Sequence, residues 1–221
     1  MLLTADLALP TCQLVVSRLR RVTASISTKR GDDGTTGLLY GGRVKKNSAR
    51  IECNGAVDEA QASLGLARAE LRRAGAVGPA GLGTDELEAI IVGIERDLWV
   101  LMAEVATAPR NRRKLVAGAS LVTAEMVDAL SDRVTEFEAA DVMPKEFVVP
   151  GGNVSSASLD VARTIVRRAE RLAVGARIGE GSEVVRYLNR LSDLCWLLAR
   201  AVEQDHLTAR GGRARDRKSV V

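Results

Sequence analysis

The sequence predicts an all-α fold, a bundle of five helices, and three observations predict it. Only six of the 221 residues are aromatic, two each of Trp, Tyr and Phe. A core must therefore be filled by Leu, Val, Ile and Ala, which suit close-packed helices. Apolar residues recur at steps of three and four in one segment after another, and no segment shows convincing alternation of apolar and polar residues.

Taken in order, residues 1–26 read as an N-terminal extension, expected to be poorly ordered; Arg18, Arg20 and Arg21 face a single acid, Asp6. An Arg-rich, acid-poor start also suits a transit peptide, but an irregular extension is the simpler reading. Ser27 to Gly42, STKRGDDGTTGLLYGG, holds five glycines and four Ser or Thr residues and is a loop by composition. A first helix is expected over Ala49–Ala74, with Ile51, Leu64, Ala67 and Leu71 inward, and GAVGPAGLG at Gly75 to Gly83 is a connection. Thr84 is the expected N-cap of the second helix, with Asp85 and Glu86 in a first turn that favours negative charge. Leu87, Ile90, Ile91, Ile94, Leu98, Leu101, Met102 and Val105 then give the strongest helical period in the chain, which Pro109 ends.

After a basic connection, Arg110 to Lys114, Thr123 opens a third helix with Met126, Val127, Leu130, Val134 and Phe137 inward. FVVPGGNVSS, Phe147 to Ser156, reads as a short apolar stretch, a turn and a polar helix start, and the fourth helix runs to about Val174. The fifth opens near Ser182 and carries a seam of Val184, Leu188, Leu191, Cys195, Leu198 and Val202. The bundle is thus expected over 27–206, followed by a basic tail, 207–221, expected to be disordered: Arg210, Arg213, Arg215, Arg217 and Lys218 stand against Asp216 alone.

Composition excludes several function classes. At 46% hydrophobic and 27% charged residues the chain is globular. Its most apolar long stretch, Ala89 to Ala108, carries Glu95, Arg96, Asp97 and Glu104, so no membrane span is expected. Nucleic-acid binding would interleave basic residues with aromatics, and six aromatics make that a poor fit. Three scattered cysteines, Cys12, Cys53 and Cys195, suit a reducing compartment, the cytoplasm. With one histidine, His206, neither a Cys/His metal cluster nor His-based acid–base chemistry is expected. His206 itself reads as a complement to the dipole of the last helix. Chemistry falls to Lys, Arg, Asp, Glu, Asn and backbone groups.

Two segments could supply it. In the glycine-rich loop, Thr28, Lys29, Gly31, Thr35, Thr36 and the downstream Lys45 and Lys46 are the parts of a phosphate cradle, and Asp32 and Asp33 could hold Mg²⁺ through water. It is not a P-loop, and from glycine count alone a plain flexible loop is the better reading. On the fourth helix, Ser156, Asp160, Arg163, Arg167 and Arg171 share one face. That face is either solvated and laced by ion pairs or an anion site. Asn189, inside the fifth helix, hints at a specific hydrogen bond; Asp58 and Glu59 read as surface acids.

Together, TKRGDDGTTG at Thr28 to Gly37, GAVDEAQASLG at Gly55 to Gly65, FVVPGG at Phe147 to Gly152, ARTIVRRAER at Ala162 to Arg171 and YLNRLSDLCWLLAR at Tyr187 to Arg200 resemble the PduO-type ATP:cob(I)alamin adenosyltransferases. The resemblance spans about Ser27 to Gln204. It implies a five-helix, ferritin-like bundle of the cobalamin adenosyltransferase type, assembling as a homotrimer with active sites between subunits. The implied reaction moves the 5′-deoxyadenosyl group of ATP to the cobalt of cob(I)alamin and releases triphosphate, with Mg²⁺ present. The partners it suggests are a flavin reductant and an adenosylcobalamin-dependent mutase.

By the same resemblance Thr28, Lys29, Arg30, Gly31, Thr35, Thr36 and Lys46 wrap the nucleotide, and Arg167, Arg168, Ala169, Glu170, Arg171 and Asn189 complete its site. Asp58 and Arg163 resemble an intersubunit ion pair that serves the transfer step, and Phe147 an aromatic closing the lower face of the corrin. Two departures stand out. Ala60 and Gln61 replace the family's common Leu and Asn, which bears on packing. Asp160 stands where His is frequent, which is expected to alter the corrin-facing surface. A corrinoid carrier or ATP-sensing regulator on the same bundle is the alternative from another class, and a basic helical nucleic-acid binder a third.

Overall fold

The computed structural model describes residues 27–140, 142–178, 181–203, 205–210 and 213–215. The expectations for residues 1–26 and for the end of the tail lie outside these residues. Five α-helices carry the described fold: α1 (Ala49–Ala74), α2 (Thr84–Val105), α3 (Ala124–Ala139), α4 (Val154–Gly175) and α5 (Val184–Ala201). No helix among them is long and apolar enough to cross a membrane.

Local chemistry sets the boundaries. The α1 helix ends where Gly75 turns left-handed at φ 57°, and the Ala76 N–H returns to the Leu71 carbonyl at 3.0 Å. Thr84, expected as an N-cap, is instead the first residue of α2, and Gly83 caps it. The Thr84 hydroxyl donates to the Ala76 carbonyl at 2.7 Å and so fastens the connection rather than the helix start. Thr123 does cap α3, its Oγ1 accepting from Met126 N at 3.4 Å. Asn153 and Ser156 form a reciprocal capping box that starts α4.

The core is Leu, Val, Ile and Ala, as the scarcity of aromatics requires; Tyr187 and Phe137 are the aromatic rings among its buried residues. Each fully buried leucine, such as Leu64, Leu98 or Leu188, contributes about 2 kcal/mol. The α1 and α4 helices pair most extensively and run antiparallel. Cys53, early in α1, sets its Sγ 3.9 Å from the carbonyl of Ala169, late in α4. At the other end, a cleft of about 500 Å³ is lined by Ala74–Val77 after α1 and by Gly152–Ser155 at the start of α4. On the outer sides α2 packs on α1, and α3 packs on α5.

Glu104 joins four segments at one end of the bundle. Its side chain is fully buried; Oε1 accepts from Arg112 Nη1 and from Ser182 Oγ, both at 2.6 Å, and Oε2 from Val122 N at 2.7 Å. Arg112 belongs to the basic connection, which forms a 3₁₀ turn over Pro109–Lys114. At the same end, Arg50 Nη1 donates to the carbonyls of Val105 at 2.6 Å and Thr107 at 3.0 Å, satisfying the end of α2.

Short strands appear where the sequence predicts none. Within and after the glycine-rich loop, β1 (Thr35–Gly37) and β2 (Arg43–Lys45) pair antiparallel. Before α4, β3 (Val148–Val149) pairs with β4 (Asp205–Thr208), which pairs with β5 (Arg213–Arg215). His206 thus lies on a strand beyond α5, not at a helix end. Of the tail expected to be disordered, residues 207–208 lie in β4 and 213–215 in β5, because β4 finds backbone partners on β3 and on β5.

Candidate active site

The glycine-rich loop sits at the α1 N-terminal end of the bundle, where Leu39 N donates to the carbonyl of Ala106 at 2.9 Å. Asp33 organises its turn. Asp33 Oδ1 accepts from Thr35 N at 2.9 Å and from Thr35 Oγ1 at 2.8 Å. The Thr35 amide, then its hydroxyl, and more weakly Arg43 hold the Asp33 carboxyl below the usual carboxylate range. Arg43 Nε reaches Thr35 Oγ1 at 2.9 Å and its Nη2 the Arg30 carbonyl, so Arg43 is a brace the sequence reading missed. Only its pairing opposite Gly37 in the hairpin brings it there, and no spacing in the sequence announces that.

Lys46 closes the loop. Its N–H donates to the Gly34 carbonyl at 2.9 Å, while its ammonium lies over Gly31: a methyl group on Gly31 would stand 3.0 Å from Lys46 Nζ. Lys29 and Gly34 take positive φ, 56° and 77°. Thr28, Lys29, Arg30 and Lys46 are exposed, and Gly31, Thr35 and Thr36 are half-buried. The loop is a folded hairpin presenting two lysines and an arginine around a glycine turn.

The second group is on α4 and α5. Asn189 Nδ2 donates to Glu170 Oε1 at 2.9 Å, beside a cleft of about 280 Å³ that Ser131, Arg186 and Arg190 also line. Arg167 and Arg171 are exposed; Arg171 Nη1 donates to the Arg167 carbonyl at 3.0 Å, and neither guanidinium meets a carboxylate among the described residues. Arg168 is paired with Glu59 of α1. Ala169 is fully buried in the core beside Cys53, so its side chain faces away from this surface. The cationic end of the α4 face is there, but its start is not a surface: Ser156 and Asp160 are buried.

Asp160 is therefore not itself a surface group in this chain. Its carboxylate bridges two guanidiniums, Oδ1 to Arg163 Nε at 3.2 Å and Oδ2 to Arg200 Nη2 at 2.7 Å. Ala60 is fully buried, and Gln61 Nε2 donates to the Glu95 carbonyl at 2.7 Å, so that departure concerns packing as expected. Asp58 is exposed on a groove between α1 and α2 that Arg96 and Trp99 share, with no ion pair to it among the described residues. One chain does not join Asp58 to Arg163. Phe147 is 89% exposed, while its carbonyl accepts from Ala209 N at 2.9 Å. It is no core residue: the backbone is pinned and the ring left bare.

Residues 26–202, which take in both groups, match the family model described as Cobalamin adenosyltransferase. The chain belongs to this family. Among cobalamin adenosyltransferase relatives, the corrinoid adenosyltransferase of Citrobacter freundii is 37% identical over 180 residues, covering 80% of this chain and 94% of that protein. The corrinoid adenosyltransferase of Bacillus subtilis is 39% identical over 178 residues, covering 79% and 84%. A solved variant of the PduO-type ATP:corrinoid adenosyltransferase from Lactobacillus reuteri, complexed with cobalamin and ATP, superposes with a TM-score of 0.69 at 25% identity, covering 88% of this chain and 100% of that one.

Proposed function

We propose that this adenosyltransferase moves the 5′-deoxyadenosyl group of ATP to Co(I) of cob(I)alamin, giving adenosylcobalamin and triphosphate. The Co–C5′ bond forms as the C5′–O bond breaks, and triphosphate leaves with the bonding electron pair. The metal of the substrate is the nucleophile, so the protein's share is positioning and charge neutralisation. The observation that carries this reading is the pair of guanidiniums, Arg167 and Arg171, that meet no carboxylate among the described residues, beside the Asn189–Glu170 bond, in a chain of this family.

In this reading Lys29, Arg30 and Lys46 neutralise the triphosphate. The loop amides around Gly31, with Thr28, Thr35 and Thr36, surround it, and Arg167, Arg168 and Arg171 add charge from α4. Mg²⁺ enters with the nucleotide. No group of three or more His, Cys, Asp and Glu that could hold a metal ion occurs among the described residues, which suits an ion carried on phosphates with Asp32 or Asp33 reached through water.

The loop and Phe147 lie at opposite ends of the antiparallel α1–α4 pair. The 22 residues of α4 span about 33 Å. That separation supports sites built between neighbouring subunits of a homotrimer, with Asp58 and Arg163 meeting across the boundary. Phe147 then covers the lower face of the corrin and disfavours an axial base, which eases reduction of Co(II) by a flavin reductant. A cytoplasmic location and delivery of product to an adenosylcobalamin-dependent mutase complete the proposal.

The test is direct: incubate the protein with ATP, Mg²⁺ and chemically reduced cobalamin, and follow the cobalamin spectrum together with triphosphate release. Stoichiometric formation of both products is expected. No product at any protein concentration would overturn the proposal.

A further inference from the structure

Four charged side chains form a row through the α4–α5 interface: Glu203, Arg200, Asp160 and Arg163. Glu203 Oε1 accepts from Arg200 Nη2 at 3.1 Å, and the same Nη2 donates to Asp160 Oδ2 at 2.7 Å. Asp160 Oδ1 accepts from Arg163 Nε at 3.2 Å. The side chains of Glu203, Arg200 and Asp160 are 0%, 2% and 6% exposed, whereas that of Arg163 is 26% exposed. The row begins in the core and emerges at one guanidinium.

We propose that Asp160 is a positioning residue that fixes Arg163 with both Nη atoms facing outward. Two carboxylates and two guanidiniums balance in charge, as buried ions must. Yet the arrangement is a poor stabilising device. Arg200 Nε and Glu203 Oε2 are buried without hydrogen-bond partners, a cost that a row serving stability alone would avoid. Its two ends also differ. Arg200 is held between two carboxylates with its guanidinium 5.7 Å from the Trp196 ring centroid, so it is an anchor. Arg163 gives only Nε to the row, and no partner to its Nη atoms occurs among the described residues. A guanidinium held by Nε keeps its planar fork aimed, so little freedom remains to be lost when a carboxylate or phosphate meets it.

Each oxygen of Asp160 serves a different arginine, so an amide cannot replace it: the NH₂ of an asparagine would face a guanidinium donor on one side. Asp160→Asn should therefore release Arg163 or Arg200. The role assigned to the aimed fork rests on the proposed transfer reaction, but the aiming itself does not.

Two measurements on the full-length protein test the two parts. In ¹⁵N-edited spectra of the wild type, with the signal assigned through Arg163→Lys, the Arg163 Nε–H is expected to exchange with water at least tenfold more slowly than that of Arg167, and to lose this protection in Asp160→Asn. Exchange as fast as that of Arg167, or protection unchanged in Asp160→Asn, would overturn the inference. The wild-type comparison decides even if Asp160→Asn fails to fold.

In adenosyl transfer, Asp160→Asn is expected to lower kcat/KM about tenfold, the loss of one charge-assisted hydrogen bond, and to cause no further loss in the Arg163→Ala background. The same fold loss in both backgrounds would mark Asp160 as merely structural and refute the proposal. An inactive wild type would remove the transfer reading and leave the exchange measurement to judge Asp160.

Discussion

Asn189 of α5 donates its side-chain amide to Glu170 of α4 at 2.9 Å, one helical turn from Arg167, whose guanidinium meets no carboxylate among the described residues. The bond explains why an asparagine tolerates a helix interior, and it fixes the carboxylate beside the cationic face. Arg167→Ala is expected to lower kcat/KM for ATP about 100-fold, since a charge-assisted contact to a polyanion is lost. Asn189→Ala should cost about tenfold by freeing Glu170. Steady-state kinetics with varied ATP measure both, and wild-type values for Arg167→Ala would show the face to be simply solvated.

Phe147, 89% exposed, contributes little to folding. Phe147→Ala should shift the unfolding free energy by no more than about 0.5 kcal/mol. Its transfer deficit should be larger with cob(II)alamin and a flavin reductant than with preformed cob(I)alamin. Equal deficits from the two starting states would contradict a role in removing the axial ligand.

Gly31→Ala tests the closeness of Lys46. The new methyl would meet Lys46 Nζ at 3.0 Å and the Thr35 carbonyl at 3.2 Å. The lysine can swing away, but the backbone oxygen cannot. The expected outcome is a rise in KM for ATP of about tenfold with global stability within about 1 kcal/mol of wild type. An unchanged KM would mean that the nucleotide does not use this turn.

Glu104→Ala removes a buried carboxylate that satisfies Arg112, Ser182 and the Val122 N–H at once. The loss should be about 3–5 kcal/mol in urea unfolding, as for other buried charges whose partners are stranded. A loss under about 1 kcal/mol would mean that water replaces the carboxylate freely.

Burial pushes the Cys53 thiol up to about 11 and the Cys195 thiol up to about 12, with Arg50 and Arg163 offsetting only part of it. The folded values lie above the unfolded value of 9.0, so folding retains these protons. The associated stability is complete below pH 9.0 and is lost as pH climbs through about 11 and about 12. Native Cys53 and Cys195 should resist alkylation at pH 8, which peptide mass spectrometry reads. The alkaline fall in stability should flatten in a Cys53→Ala, Cys195→Ala double variant.

The helices were legible because their apolar period is strong, and α1 runs over the residues expected of it. What escaped the sequence is what depends on distant partners. A two-residue strand such as Val148–Val149 has no period to detect, and its partner Leu207–Thr208 lies about sixty residues on. Helical spacing placed Asp160 and Arg167 on one face, but spacing cannot say where that face dips under α5. Arg200 supplied the answer, from the end of a helix read for its apolar seam and for Asn189. Ala169 shows the same limit in reverse, since a residue inside a motif can point into the core.

The α1 and α4 helices line their shared core with Ala56, Ala60, Ala67, Ala162, Ala169 and Ala173, all essentially inaccessible to water. Methyl groups have no rotamers to rearrange, so a push on one helix is not absorbed at this seam. Small side chains at this seam are expected to let α1 and α4 shift only together, as one body, rather than by local repacking between them.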